Sequence, residues 1–267
     1  MEQVKSRITT THAEGADCQV LILACPSIAA ATQPGQFVHV RVSESADPLL
    51  RRPISVMLAD RQAGHIRLLV RKVGRGTEAL ARLPAGATVD LLGPLGNGFP
   101  FPSAETSGDI LLVAGGVGVA PLVFLADTLQ THRARFRVCG LLGGASDEHL
   151  PVWTELAGRC EEFHVSTEDG SAGEQGLVTE LLGEHLAQDG TAVVYTCGPR
   201  PMMAAVAQMC AEARVPCWAS LEQWMGCGVG ACLGCVVPAA GGDDFLRVCK
   251  DGPVFAAEQL AWEALGQ

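Results

Sequence analysis

The run Cys227-Gly-Val-Gly-Ala-Cys232-Leu-Gly-Cys235, followed by Cys249, constrains this chain more than any other feature. The segment beyond Leu221 is too short, and too crowded with glycine and cysteine, to bury a core unaided, so it needs a metal staple. Its spacing, C-x4-C-x2-C with a fourth cysteine further on, is the plant-type arrangement in which thiolates hold a 2Fe–2S cluster. Glycines at 226, 228, 230 and 234 suit a loop wrapped around a cluster, because they accept positive φ and bring backbone N–H groups close to sulfur. A structural zinc site is the alternative. Zinc motifs usually space their ligands as two close pairs, whereas three cysteines share one loop here. Cys227, Cys232, Cys235 and Cys249 are therefore the candidate metal ligands.

The N-terminal residues lack the basic-then-apolar order of a secretory signal, which places the chain in the cytoplasm, among reduced thiols. Eleven cysteines in that setting argue for metal or redox chemistry rather than disulfides. The seven outside the tail read as small buried apolar residues. A net charge of −10 would repel a phosphate backbone, so nucleic acid is not an expected partner. The long uncharged stretch from Ile110 to Ala126 is interrupted by Gly115, Gly116, Gly118 and Pro121. It reads as a buried strand and helix rather than a membrane span.

Short β-rich runs fill the first hundred residues: Cys18 to Leu23, Gln36 to Val42, Ile54 to Leu58, His65 to Val70 and Thr88 to Leu92. Turn residues separate them, with a helical interlude near Thr77 to Arg82. This spacing predicts a small antiparallel barrel. Strand-like runs then alternate with helical segments, at Ile110 to Ala114, Phe136 to Leu142, Phe163 to Ser166 and Ala192 to Thr196, which predicts a doubly wound parallel sheet. The expected fold is thus a β barrel plus α/β, divided as residues 1–102, 103–220 and a small cluster domain at 221–267.

Gly115-Gly116-Val117-Gly118-Val119-Ala120-Pro121 follows a strand and opens a helix. Such a turn can receive a pyrophosphate at the helix N-terminus, although a tight strand-to-helix turn calls for glycine in any case. The acids Asp147, Glu148, Glu168 and Asp169, with no basic cluster to meet a ribose 2′-phosphate, favour NAD over NADP, while a merely solvated acidic surface is the plainer reading of them. In the barrel region Leu50-Arg51-Arg52-Pro53-Ile54-Ser55 sets a guanidinium beside a hydroxyl. Arginine can hold a phosphate and serine can bond a flavin ring edge, while an ordinary surface arginine pair is the plainer reading.

Taken in order, Arg52-Pro53-Ile54-Ser55, Val70-Arg71 with Gly76-Thr77, Gly93-Pro94-Leu95-Gly96-Asn97-Gly98-Phe99, the glycine turn and Cys197-Gly198-Pro199 resemble the ferredoxin–NADP reductase family. With the cysteine tail added, the whole chain is similar to the electron-transfer subunits of class 1B dihydroorotate dehydrogenase. The resemblance implies that Arg52, Pro53, Ile54, Ser55, Leu69, Val70, Arg71, Gly76 and Thr77 bind FAD. It implies that Gly115, Gly116, Gly118, Gly198 and Pro199 take the dinucleotide, with Cys197 as the catalytic residue facing nicotinamide. Ile54 stands where many reductases place a tyrosine against the flavin, so stacking there is lost; the narrower subfamily also carries an aliphatic residue.

The expected function is electron transfer from a catalytic subunit's flavin through the 2Fe–2S cluster and FAD to NAD⁺, in pyrimidine biosynthesis. The resemblance also implies a partner: an FMN-containing dihydroorotate dehydrogenase catalytic subunit, in a heterotetramer with two of each. A flavin is needed because nicotinamide exchanges electrons in pairs and the cluster singly. Two other readings remain at this stage. One docks the same carriers on a ferredoxin-reducing flavoprotein, as in NADH-dependent ferredoxin–NADP oxidoreductase or a hydrogenase diaphorase. The other is a zinc-stapled structural module with no catalysis.

Overall fold

A computed structural model describes residues 1–43, 47–103, 106–132, 135–188 and 190–265. Six strands close into an antiparallel barrel: β1 (Glu2–Glu14), β2 (Cys18–Ala24), β3 (Phe37–Arg41), β4 (Arg52–Asp60), β5 (His65–Arg71) and β6 (Thr88–Leu95), in the order β1-β2-β5-β4-β3-β6. Val20, Val38, Val40, Val56, Ile66, Leu68, Val70 and Leu91 are fully buried. Most sit at alternate strand positions, as a half-buried pleat requires. Helices α1 (Pro26–Ala31) and α2 (Arg75–Ala81) fill the connections.

The second part is a seven-stranded sheet. Its strands are β7 (Asp109–Gly115), β8 (Arg137–Gly144), β9 (Glu162–Thr167), β10 (Glu174–Gln175), β11 (Thr191–Cys197) and β12 (Cys217–Ser220), all paired parallel, joined by one strand from the tail. Helices α3 (Val119–Gln130), α4 (Trp153–Ala157), α5 (Val178–Leu186) and α6 (Arg200–Ala213) cover it. Fully apolar runs such as Ile110 to Ala114 are what a strand buried on both faces demands. The uncharged stretch from Ile110 to Ala126 is therefore strand, turn and helix. Among the described residues no helix is long and apolar enough to cross a membrane.

The tail forms the hairpin β13 (Val236–Pro238) and β14 (Phe245–Arg247), then β15 (Val254–Ala256), which pairs antiparallel with β12 at the sheet edge. Its core is shared: Cys235, Val237, Val248 and Cys249 pack in one cluster with Phe37 and Leu95 of the barrel and Met203 of α6. Barrel and sheet are locked by the Tyr195 hydroxyl, which donates to the Pro100 carbonyl at 2.8 Å, and by Phe99 edge-on to the Tyr195 ring. An Arg67–Glu155 ion pair at 3.1 Å joins β5 to α4.

Candidate functional site

A cavity of about 430 Å³ lies where the three parts meet. The barrel contributes Pro53, Ile54, Ser55, Leu69 and Arg71, the α/β part Val117, Gly198 and Pro199, and the tail Glu222 and Trp224. The alternation of β5 decides what reaches it: Leu69 and Arg71 face the cavity, and the Val70 side chain between them is turned into the barrel core. Arg52 lies against α2, where a Cβ on Gly76 would stand 2.4 Å from the Arg52 Nε. A side chain at 76 would push the guanidinium aside, and neither Arg52 nor Gly76 lines the cavity itself. The Arg52 Nη1 donates to the Leu50 carbonyl at 2.6 Å, and Thr77, which lines the cavity, accepts from the Val73 N–H at 3.0 Å. The adjacent Arg51 is structural, paired with Asp90 at 2.6 Å.

Across Arg71, Val117, Gly198, Pro199 and Glu222 this cavity runs into a second, of about 610 Å³, lined by Gly115, Gly116, Gly118, Gly143 and Gly144. The glycines of the two turns are there because the turns touch. A Cβ on Gly118 would stand 2.3 Å from the Cys197 carbonyl oxygen, and one on Gly115 would meet Met202 and Pro199 at 2.6 Å. Gly116, at φ +52°, has no such contact and edges the cavity at the mouth of α3. A long helix N-terminus beside open glycine backbone is suited to a pyrophosphate. Of the four acids read as favouring NAD, Glu168 lines this cavity.

Arg71 is held by Asp17, whose Oδ2 accepts from Nε at 2.7 Å. Burial works against the Asp17 charge, but the Arg71 guanidinium prevails and keeps the carboxyl below its usual range. Cys197 ends β11 and is buried in the hydrophobic core, so the residue read as facing nicotinamide lines neither cavity; desolvation pushes its thiol far up and keeps it neutral. Glu222 was not foreseen. It stands two residues past β12 and edges both cavities; its side chain is open to solvent, yet the protein crowded around the cleft raises its carboxyl, with Arg71 opposing. Its one signal was position: in such sheets ligands sit beyond the carboxyl ends of the strands.

The four tail cysteines run from surface to core, with Cys232 exposed, Cys227 half-buried, and Cys235 and Cys249 buried. Their sulfurs accept six backbone N–H groups at 3.1–3.5 Å: Val229, Ala231 and Cys232 to Cys227, Gly230 to Cys249, Gly234 to Cys232, and Cys249 to Cys235. Burial opposes charge on Cys227, but the N–H groups of Val229, Cys232 and Ala231 bring its thiol down to about 6. The thiols come as two pairs in mutual reach, Cys227 with Cys232 and Cys235 with Cys249. One zinc would draw all its sulfurs to about 3.8 Å from one another. Among the described residues the group of three or more donor atoms within 4.8 Å lies elsewhere. Two pairs under a canopy of N–H groups fit two irons.

Residues 222–261 match the model of the iron–sulfur cluster binding domain of dihydroorotate dehydrogenase B. Residues 112–208 match the oxidoreductase NAD-binding domain and residues 5–99 the oxidoreductase FAD-binding domain. The dihydroorotate dehydrogenase B (NAD⁺) electron transfer subunit of Desulforamulus reducens is 43% identical over 240 residues, covering 89% of this chain and 90% of that one. This chain belongs to that family. A second member, from Bacillus caldolyticus, is 45% identical over 229 residues, covering 85% and 86%. A solved structure of an NADH-dependent reduced ferredoxin–NADP oxidoreductase aligns with TM-score 0.87 and 31% identity, over 97% of this chain and 91% of that one. The family's cofactors are FAD, NAD and an iron–sulfur cluster, held in the barrel, the α/β part and the tail in turn, and the zinc-stapled module falls away.

Proposed function

We propose that this chain is the electron-transfer subunit of an NAD-dependent dihydroorotate dehydrogenase in pyrimidine biosynthesis, with a 2Fe–2S cluster and FAD as its carriers. The observation that carries the reading is the shared cavity: barrel, glycine turns and cluster-bearing tail all line it. Bound FAD supplies the exchange of hydride with nicotinamide and of single electrons with the cluster.

The chain's own residues place these groups. Arg52, Pro53, Ile54, Ser55, Leu69, Arg71, Gly76 and Thr77 hold the FAD, with Val70 setting the alternation that aims its neighbours. The open backbone of Gly115, Gly116 and Gly118 and the turn at Gly198 and Pro199 hold NAD. Arg71, fixed by Asp17, gives the junction a positive charge toward both anionic groups. Cys197, neutral and buried behind the cavity wall, supports the dinucleotide turn through its backbone, which lies directly against Gly118. Cys227 and Cys232 ligate one iron from the surface side, Cys235 and Cys249 the other from the core.

Oxidising dihydroorotate needs a site that removes hydride from a carboxylated ring and a base to take the proton. The cavities here are given over to cofactors, so an FMN-containing catalytic subunit is proposed as partner, in a tetramer with two of each. Trp224, Leu233 and Phe245 are 89%, 60% and 64% exposed around the cluster loop, and such apolar exposure marks a contact surface. The likeness to the ferredoxin–NADP oxidoreductase chain keeps one competing partner in view, a ferredoxin-reducing flavoprotein.

The test is NADH formation from dihydroorotate and NAD⁺, followed by absorbance. The isolated chain should reduce dyes with NADH yet leave dihydroorotate untouched until the catalytic subunit is added. Turnover of dihydroorotate by the chain alone would overturn the subunit reading. A bound partner that never restores NAD⁺ reduction would favour the ferredoxin-linked one.

A further inference from the structure

Four metal-binding side chains come together well away from the cluster loop, at the amino ends of β8 and β9. Cys139 on β8, Glu162 and His164 on β9, and His185 in the last turn of α5 each offer a ligand atom, and these atoms all lie within 4.8 Å of one another. The fold sets them there by register. Cys139 pairs with Glu162 and Leu141 with His164 in the parallel ladder, so Glu162 and His164 share the sheet face that bears Cys139, and α5 packs on that face.

The donors are also aimed. His185 Nδ1 lies 2.9 Å from the Leu181 carbonyl, which can only accept, so Nδ1 carries the proton and Nε2 keeps its lone pair. That Nε2 lies 3.3 Å from Cys139 Sγ and 3.7 Å from Glu162 Oε1. Tetrahedral zinc would hold such donors about 3.3–3.6 Å apart. A histidine whose second nitrogen is tied to a backbone carbonyl is the usual orientation of a zinc ligand. Arg137 pairs with Glu162 Oε2 and leaves Oε1 to the cluster, where His164 Nε2 meets it at 2.7 Å. The sulfur is buried, while His164 and Glu162 are about one-third exposed, so an ion can approach from solvent.

We propose that Cys139, Glu162, His164 and His185 form a zinc site in the dinucleotide-binding part of the chain. Zinc forms one bond to each donor. The Cys139 thiol proton leaves to water, and so does the proton on His164 Nε2 unless it moves to Nδ1; no oxidation state changes. The ion would clamp α5 to β8 and β9, and the opposite end of that helix, at Val178 and Thr179, lines the dinucleotide cavity.

The experiment uses the chain with flavin and iron–sulfur cluster loaded. Zn²⁺ is titrated in competition with a chromogenic chelator, and zinc-edge X-ray absorption then reads the ligand shell. The expected result is one bound zinc per chain with one sulfur and three nitrogen or oxygen neighbours. Affinity should fall at least tenfold in both Cys139→Ala and His185→Gln, with flavin and iron contents unchanged as evidence of folding. Three outcomes would overturn the proposal: no competition by the wild type, a shell of sulfur alone, which would mean zinc in the tail cysteines, or full affinity in both variants.

Discussion

Gly228 of the cluster loop lies against His39 of the barrel: a Cβ on the glycine would stand 2.6 Å from the imidazole Nδ1. Gly228 also has φ +73°, a conformation that L side chains rarely adopt. His39 is fully buried on β3. The loop that presents Cys227 is thus seated directly on the barrel that holds the flavin, and the spacing between the two carriers depends on a residue with no side chain.

Gly228→Ala should therefore disturb the cluster before anything else. The left-handed backbone alone costs about 1–2 kcal/mol for a residue with a Cβ, and the clash with a buried ring adds to it. Iron content per chain should fall well below that of the wild type while FAD stays stoichiometric after gel filtration. Full iron content with an unaltered cluster spectrum would show that the loop can move away from His39 without cost.

His39 itself makes stability depend on pH. Burial, then the nearby Arg51 charge, holds its imidazole at about 4. The unfolded chain takes up that proton near 6.5. A depressed folded value means stability that is fully present above about 6.5 and is lost as pH falls through about 4. Between pH 8 and 5 the loss from this one group is about 2 kcal/mol. Urea unfolding of wild type and His39→Gln across that range should differ in slope, the variant being flatter; parallel curves would mean His39 titrates normally.

Arg52→Ala should release FAD. If Arg52 carries a charge-assisted bond to a phosphate, about 1.5–3 kcal/mol is lost, which weakens binding roughly 10- to 150-fold. Flavin retained through gel filtration at stoichiometric level would move the phosphate contact elsewhere, Arg71 and Arg200 being the arginines that line the three-part cavity.

Much of this was legible in the residues because the signals were local. The cysteine spacing, the glycine turn and the strands from Cys18 to Thr88 each lie within a short stretch. What escaped notice is long-range or lacks a pattern. Strand β1 runs from Glu2 to Glu14 but buries only Ser6 and Ile8, so no hydrophobic alternation announces it. Strand β15 joins the α/β sheet edge beside β12, a pairing set by tertiary packing. Val70, grouped with Leu69 and Arg71 by its motif, points the other way because neighbouring strand residues alternate. Glu222 carries no motif at all, and only the meeting of three parts of the chain gives it a place.

That place makes a last expectation testable. Glu222 is a solvent-exposed acid on the rim of the two cavities proposed for FAD and NAD, and the protein crowded around the cleft raises its carboxyl above the ordinary value, with Arg71 opposing. While ionised it repels the dinucleotide and offsets part of the Arg71 charge. Protonation removes that repulsion, so the KM for NADH in dye reduction should decrease as pH falls toward the raised carboxyl value. Glu222→Gln should show the low KM at every pH, by about two- to fivefold if the charge contributes about 0.5–1 kcal/mol across solvent. Because Gln keeps the shape, kcat should change less than KM. A variant whose KM still falls with pH as in the wild type would show that another group titrates in the cleft. A variant whose KM rises would instead mean that Glu222 bonds the dinucleotide directly, as an acceptor for a ribose or amide donor.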